Sequence, residues 1–218
     1  KDALTLTRAP HLQRDSVPAV ARFSNSTGLP ALPDNHPRAD PRGCAIRFYL
    51  AERVHTDIIS HAANGFPTKN GDDFLAFFRA AGASDPSQNP PSPTPLEQFL
   101  ATHPETVAFL QAPKPTPSSF AREQYFGVTA YEFTNNAGAR RFGRYRVTPA
   151  AGVDHLDAAD VESKPPDFLH DELRQRIAAA PVRFAIKVQL AEVGDVVNDP
   201  TIAWPEDREQ VPFGTLTL

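Results

Sequence analysis

Methionine is absent from these 218 residues, and cysteine and tryptophan occur once each. With Cys44 alone, no internal disulfide can form and no cysteine-based structural zinc site can be built. No block of basic residues is present: 22 Lys and Arg stand against 26 Asp and Glu, for a net charge of −4. With nothing clustered to neutralise phosphates, nucleic acid is excluded as a partner. No apolar run approaches the roughly 20 residues that cross a bilayer, and no signal-peptide pattern opens the chain. The seven histidines, His11, His36, His55, His61, His103, His155 and His170, never form a His-x-x-x-His or His-x-Glu pair, so spacing indicates no zinc or iron site. No nucleophile elbow, Walker loop or Gly-x-Gly-x-x-Gly occurs. The first residue is Lys1, which reads as a processed, trimmed or fragmentary chain. A chain without methionine suits an oxidising setting, although chance and a missing start codon are the simpler explanation.

What is present suffices for a core: 40% of residues are hydrophobic, in a length that one large domain can fill. Residues 17–24 and 40–49 read as two strands joined by a polar, proline-rich loop. In the first, Val20, Arg22 and Ser24 point one way and Ala19, Ala21 and Phe23 the other. Pattern alone favours a solvent-facing row for Arg22 and Ser24; a polar pocket is the alternative. In the second, Cys44 shares a face with Ile46 and Phe48 and reads as a small buried hydrophobe. After Asn70-Gly71, Asp72 and Asp73 suit a helix start, and Phe74, Phe77 and Phe78 form an apolar stripe predicted to be buried. Thr94-Pro-Leu-Glu97 is a capping box opening a helix with Leu96, Phe99 and Leu100. A second short helix follows His103-Pro104. Strands over 125–134 and 140–148 flank the turn Asn135-Asn136-Ala137-Gly138 as a hairpin. One face of the second carries Arg140, Phe142, Arg144 and Arg146, a solvated face by default and an anion patch otherwise. A helix is predicted over 167–179. Residues 182–190 alternate as the clearest half-buried strand, and 214–218 begin another. His61 and Asp57 default to surface roles, and Tyr49, Tyr125, Tyr131 and Tyr145 to sheet packing. These elements predict an α+β fold, an antiparallel barrel or strongly bent sheet with a helical insertion, as a single domain over 1–218.

Ordered blocks along the chain carry a resemblance to the catalase superfamily, in particular its short catalase-related peroxidases. They are Val17-Pro-Ala-Val-Ala-Arg-Phe-Ser24, Asp40-Pro-Arg-Gly-Cys-Ala-Ile-Arg-Phe-Tyr49, and Thr56-Asp-Ile-Ile-Ser-His-Ala-Ala-Asn-Gly-Phe-Pro67. Further matches are Tyr125-Phe-Gly-Val128, Phe142-Gly-Arg-Tyr-Arg146, Phe168-Leu169, Val188-Gln-Leu190, Trp204-Pro205 and Gly214-Thr-Leu-Thr-Leu218. The resemblance implies a catalase-like antiparallel β-barrel core and a haem b cofactor. It also implies decomposition of hydrogen peroxide, or reduction of peroxides with an unidentified organic donor. Carried over by residue, Arg22 would bind a haem propionate, since a guanidinium forks onto a carboxylate. Ser24 would orient a distal histidine, Asn64 would position peroxide, and Phe66 would form part of the apolar wall. A distal histidine would act as base then acid, above an iron held by a tyrosine phenolate.

The family's distal histidine and proximal tyrosine motifs match nothing in these residues, so the chain reads as a core trimmed at both ends. Two alternatives follow: a haem-free remnant serving as a binding module, and a fatty-acid hydroperoxide-converting relative. The expected setting is a bacterial-type cytoplasm or periplasm; the oligomeric state stays open.

Overall fold

The computed structural model describes residues 2–26, 29 and 31–218. Eight strands form one antiparallel sheet: β1 (Ala19–Ser24), β2 (Gly43–Ala51), β3 (Val54–His61), β4 (Tyr125–Phe126), β5 (Tyr131–Thr134), β6 (Arg140–Pro149), β7 (Arg183–Leu190) and β8 (Gln210–Thr217). The order is β1-β2-β3-β4-β6-β7-β8, with β5 also pairing β6. Cys44 and Ile46 of β2 share one buried cluster with Val211 and Phe213 of β8, which requires the sheet to curl around its apolar face. Among the described residues no pairing joins β1 to β8, so the architecture is a half-barrel. The short helix α1 (Ala3–Leu6) places Ala3 and Leu6 in that cluster. The α+β reading with a curled antiparallel sheet and helical insertion therefore holds.

Period-2 alternation decides the faces. Phe184, Ile186 and Val188 of β7 point into the core with Tyr145 and Val147 of β6. Cys44 is buried as expected, and its hydrophobic surroundings push the thiol pKa up to about 12. Close approach is fixed at Gly143, where a Cβ would lie 2.3 Å from Val188 Cγ1.

The insertion between β3 and β4 holds α2 (Gly71–Ala83), α3 (Pro95–Leu100) and α4 (Pro104–Gln111). Asn70 caps α2 by accepting from the Asp73 amide at 2.9 Å, and the Thr94–Glu97 capping box opens α3. Two further helices, α5 (Ala158–Ser163) and α6 (Phe168–Ala179), separate β6 from β7. The α5 helix has no apolar stripe to betray it; Asp157 caps it through the Asp160 amide.

Four expectations need correction. The Phe74, Phe77 and Phe78 stripe is only partly covered, with Phe78 48% exposed, because these rings stack mainly on one another and on the insertion's own Phe99. The strand predicted over 125–134 breaks into β4 and β5, since four residues, 127–130, lie opposite only two on β6. Tyr125 and Tyr145 pack in the core, whereas Tyr49 and Tyr131 are exposed. The Arg face of β6 is not a solvated row: Arg144 and Arg146 are buried beneath the segment 195–208 and the loop after β3.

Candidate functional site

The side of β1–β3 away from the core is open. Register places three cross-strand rows on it: Ser24, Gly43 and His61; Arg22, Ala45 and Ile59; Val20, Arg47 and Asp57. Val20 is 56% and Ile59 63% exposed, so two apolar side chains stand uncovered on this face. Arg22 is exposed beside them, and no carboxylate of the described residues lies within ion-pair distance of it. Arg47 and Asp57 form a two-pronged pair, with Nε and Nη2 donating to the carboxylate at 2.9 and 2.8 Å. A Cβ on Gly43 would come within 2.6 Å of Ser24 Oγ. The glycine thus leaves a cradle that the serine hydroxyl overhangs.

His61 ends β3 on this face. Its Nδ1 accepts from the Ala63 amide at 3.2 Å, and its Nε2 is buried with no hydrogen-bond partner. Burial lowers its pKa to about 4, keeping the ring neutral through the physiological range. The Phe66 ring lies 6.0 Å from the imidazole, between it and Phe74.

Asn64 is held from below. Arg146 Nη2 donates to Asn64 Oδ1 at 3.2 Å, while Nη1 donates to Gly127 O at 3.3 Å. Arg146 also donates to Gln189 Oε1 and lies over the Phe126 ring. Burial, with Arg144 second, lowers its pKa to about 10. Arg144 donates to Asp199 O at 3.0 Å and Ile202 O at 2.7 Å and stacks on Trp204 at 4.3 Å. The Phe66 amide donates to Pro200 O at 3.0 Å. Two guanidiniums of β6 therefore clamp both the loop carrying Asn64 and the segment 195–208.

A third arginine fixes the approach to β2. Arg42 is fully buried; its Nε lies 2.8 Å from Asp40 Oδ1 and its Nη2 donates to Asp34 O at 2.6 Å. Asp34 in turn accepts from the Leu169 amide at 2.9 Å at the start of α6. Beside this lies a small cavity of about 160 Å³ lined by Asp40, Glu123 and His155, among others. Burial raises the pKa of both carboxyls, and His155 Nε2 sits 3.1 Å from Glu123 Oε2.

The four residues singled out from sequence thus divide into pairs. Arg22 and Ser24 share the open face, while Asn64 and Phe66 lie on the loop leaving β3. His61, which spacing assigned to the surface, joins the two pairs: it is on the row of Ser24 and beside Phe66. The signal in sequence was its position at the end of a strand whose partner is Gly43. An apolar patch edged by a lone guanidinium, with a glycine cradle and an orphaned buried N–H, fits a planar porphyrin carrying carboxylates.

Comparison with known proteins bears on the family and the fold. The sequence model described as Catalase matches residues 1–218. A catalase-related peroxidase of Mycolicibacterium paratuberculosis is 35% identical over 223 residues, covering 100% of this chain and 68% of the relative. One of Synechococcus elongatus is 34% identical, covering all of this chain and 64% of the relative. Among solved structures, a bacterial catalase superposes with a TM-score of 0.82 at 24% identity, over 100% of this chain and 45% of that one. Catalase A from Saccharomyces cerevisiae gives 0.81 at 18% identity, with 48% of that chain covered. The chain spans about two thirds of these curated relatives and under half of the solved catalases. No helix of the described residues is long and apolar enough to cross a membrane. The chain belongs to the catalase family.

Proposed function

We propose that the protein containing this chain is a haem-dependent, catalase-related peroxidase. It consumes hydrogen peroxide or an organic peroxide, with an organic donor as reductant. Residues 1–218 serve as its single core domain, and haem b lies on the open face of β1–β3. The observation that carries this reading is that face: exposed Val20 and Ile59, with Arg22 free of any acidic partner among the described residues. An apolar surface edged by an unneutralised guanidinium suits a flat apolar ring bearing a propionate, because the ring covers hydrocarbon while the carboxylate takes the fork. Haem, when bound, supplies an iron centre able to take part in two-electron reduction of a peroxide.

The chain's own residues set the surroundings. Arg22 holds a propionate by charge and by paired N–H donors. Ser24, whose hydroxyl overhangs Gly43, offers one donor and two acceptor lone pairs to orient a histidine supplied from outside these residues. Asn64 has its amide oxygen engaged by Arg146, so the group left to address peroxide is Nδ2–H₂. Phe66 excludes water on the side of the insertion. Val20 and Ile59, once covered by the ring, keep water from this face and so strengthen the polar contacts made on it.

The test is a visible spectrum and a turnover assay of the full-length protein supplied with haem. Stoichiometric ferric haem and peroxide-dependent oxidation of a phenolic donor are the expected results. A folded full-length protein that takes up no haem would overturn the reading in favour of a haem-free binding module. Arg22→Ala is expected to lower haem occupancy several-fold, with Arg22→Lys retaining part of it. Equal occupancy in all three proteins removes Arg22 from the propionate role.

A further inference from the structure

His61 belongs to no role derived above. Three observations converge on it. It occupies the same cross-strand row as Ser24, with only Gly43 between them. That glycine has no side chain, and the Ser24 hydroxyl leans over it, so the surface between the two polar groups is backbone alone. The second observation is the tautomer. The Ala63 amide donates to Nδ1, so Nδ1 carries the lone pair and the neutral ring bears its proton on Nε2. The third is that this Nε2–H is buried and unpartnered. Buried donors are almost always satisfied, so an orphan calls for an explanation, and beside the open row of Ser24 and Gly43 a further acceptor supplies one. Burial keeps the ring neutral to about pH 4, so the proton is there to be donated throughout the working range.

We infer that the Nε2–H of His61 is a second hydrogen-bond donor of the peroxide site, reached when the neighbouring Phe66 ring is displaced by a small acceptor. This rests on the peroxidase reading above. The ligand class is a compact oxygen or anionic acceptor of the size of peroxide or fluoride. Phe66, its ring 6.0 Å from the imidazole and tilted against Phe74 at 5.0 Å, is the neighbouring ring whose movement the inference requires. The energetic logic is that the closed arrangement leaves a donor unmade, and an incoming acceptor makes it. Asn64, whose oxygen is held by Arg146, keeps its Nδ2–H₂ as the first donor, and His61 adds a second beside it. His61 acts here as a ligand-binding donor; no proton transfer is required of it.

The experiment is fluoride titration of the haem-loaded, ferric full-length protein followed by its visible spectrum. Fluoride accepts hydrogen bonds and is not consumed. His61→Leu is expected to weaken fluoride about tenfold, the worth of one hydrogen bond to an anion, while His61→Gln, which keeps an N–H donor, stays within about threefold of the parent. Phe66→Ala, read independently, is expected to bind fluoride more tightly, and that gain disappears when combined with His61→Leu. Fluoride affinity unchanged in His61→Leu, or in Phe66→Ala should the first variant not fold, overturns the inference while leaving the peroxidase reading intact. Failure of the parent to load haem overturns the peroxidase reading itself, so the two failures are told apart.

Discussion

Cys44 shows how far one position can be read without structure. Alternation placed it on the apolar face of β2, and it lies in the core beside Ile46, with its thiol pushed up to about 12 by burial. Thiolate is the reactive form, so iodoacetamide at pH 8 is expected to leave Cys44 unmodified in the folded protein and to alkylate it once denaturant is added. Labelling at the rate of a free thiol in the native state would contradict the burial. Arg22 and Ser24 illustrate the opposite case. Period 2 gave their face but not its use, because an open face and a ligand face look alike in alternation. His61 was illegible for another reason: the partners that define it, Gly43 and Ser24, are 18 and 37 positions away in sequence and come together only through register. The orphaned Nε2 is a property of packing and has no sequence signature at all.

Elements were legible where local chemistry decides them. The capping box, the turn at Asn135 and the alternating strand β7 all follow from side chains within a few positions of one another. They were misread where distant segments take over, as at Arg144 and Arg146, whose partners outside β6 lie 19 to 82 positions away. Two substitutions test such long-range joints. Asp34 accepts from the Leu169 amide and from His170 Nδ1, at 2.9 and 3.2 Å, and so ties the β1–β2 loop to the first turn of α6. Asp34→Ala leaves buried donors unmade and is expected to cost about 3 kcal/mol in chemical denaturation; a loss under about 0.5 kcal/mol would mean that water satisfies the freed donors and the joint adds little. Gly143→Ala drives a Cβ against Val188 and is expected to lower stability by about 2–3 kcal/mol through overpacking. An unchanged denaturation midpoint would show that β6 and β7 can separate at that point without penalty.

At the scale of the molecule, half-buried histidines bear on the acid limit. His61 titrates near 4 in the fold against an ordinary 6.5, and burial lowers His11 as well. Between those two values the unfolded chain binds protons that the fold refuses, so stability is complete above about pH 6.5 and falls as pH drops toward 4. For His61 the loss is at most about 3 kcal/mol. The raised carboxyls Asp40 and Glu123 act in the opposite sense, so the His61 contribution is read as the difference its substitution makes between pH 6.5 and 4. Urea midpoints across that interval are expected to decline in the parent and to flatten in His61→Gln; parallel curves would place the acid sensitivity elsewhere. The clamp of β6 on the loop after β3 has a consequence for synthesis. A ribosome delivers Asn64 and Phe66 long before Arg146, and Arg146 long before the Pro200 carbonyl that receives the Phe66 amide. The nascent chain therefore carries the loop of its candidate site without its strap to Pro200 until the last fifth of these residues is emerging.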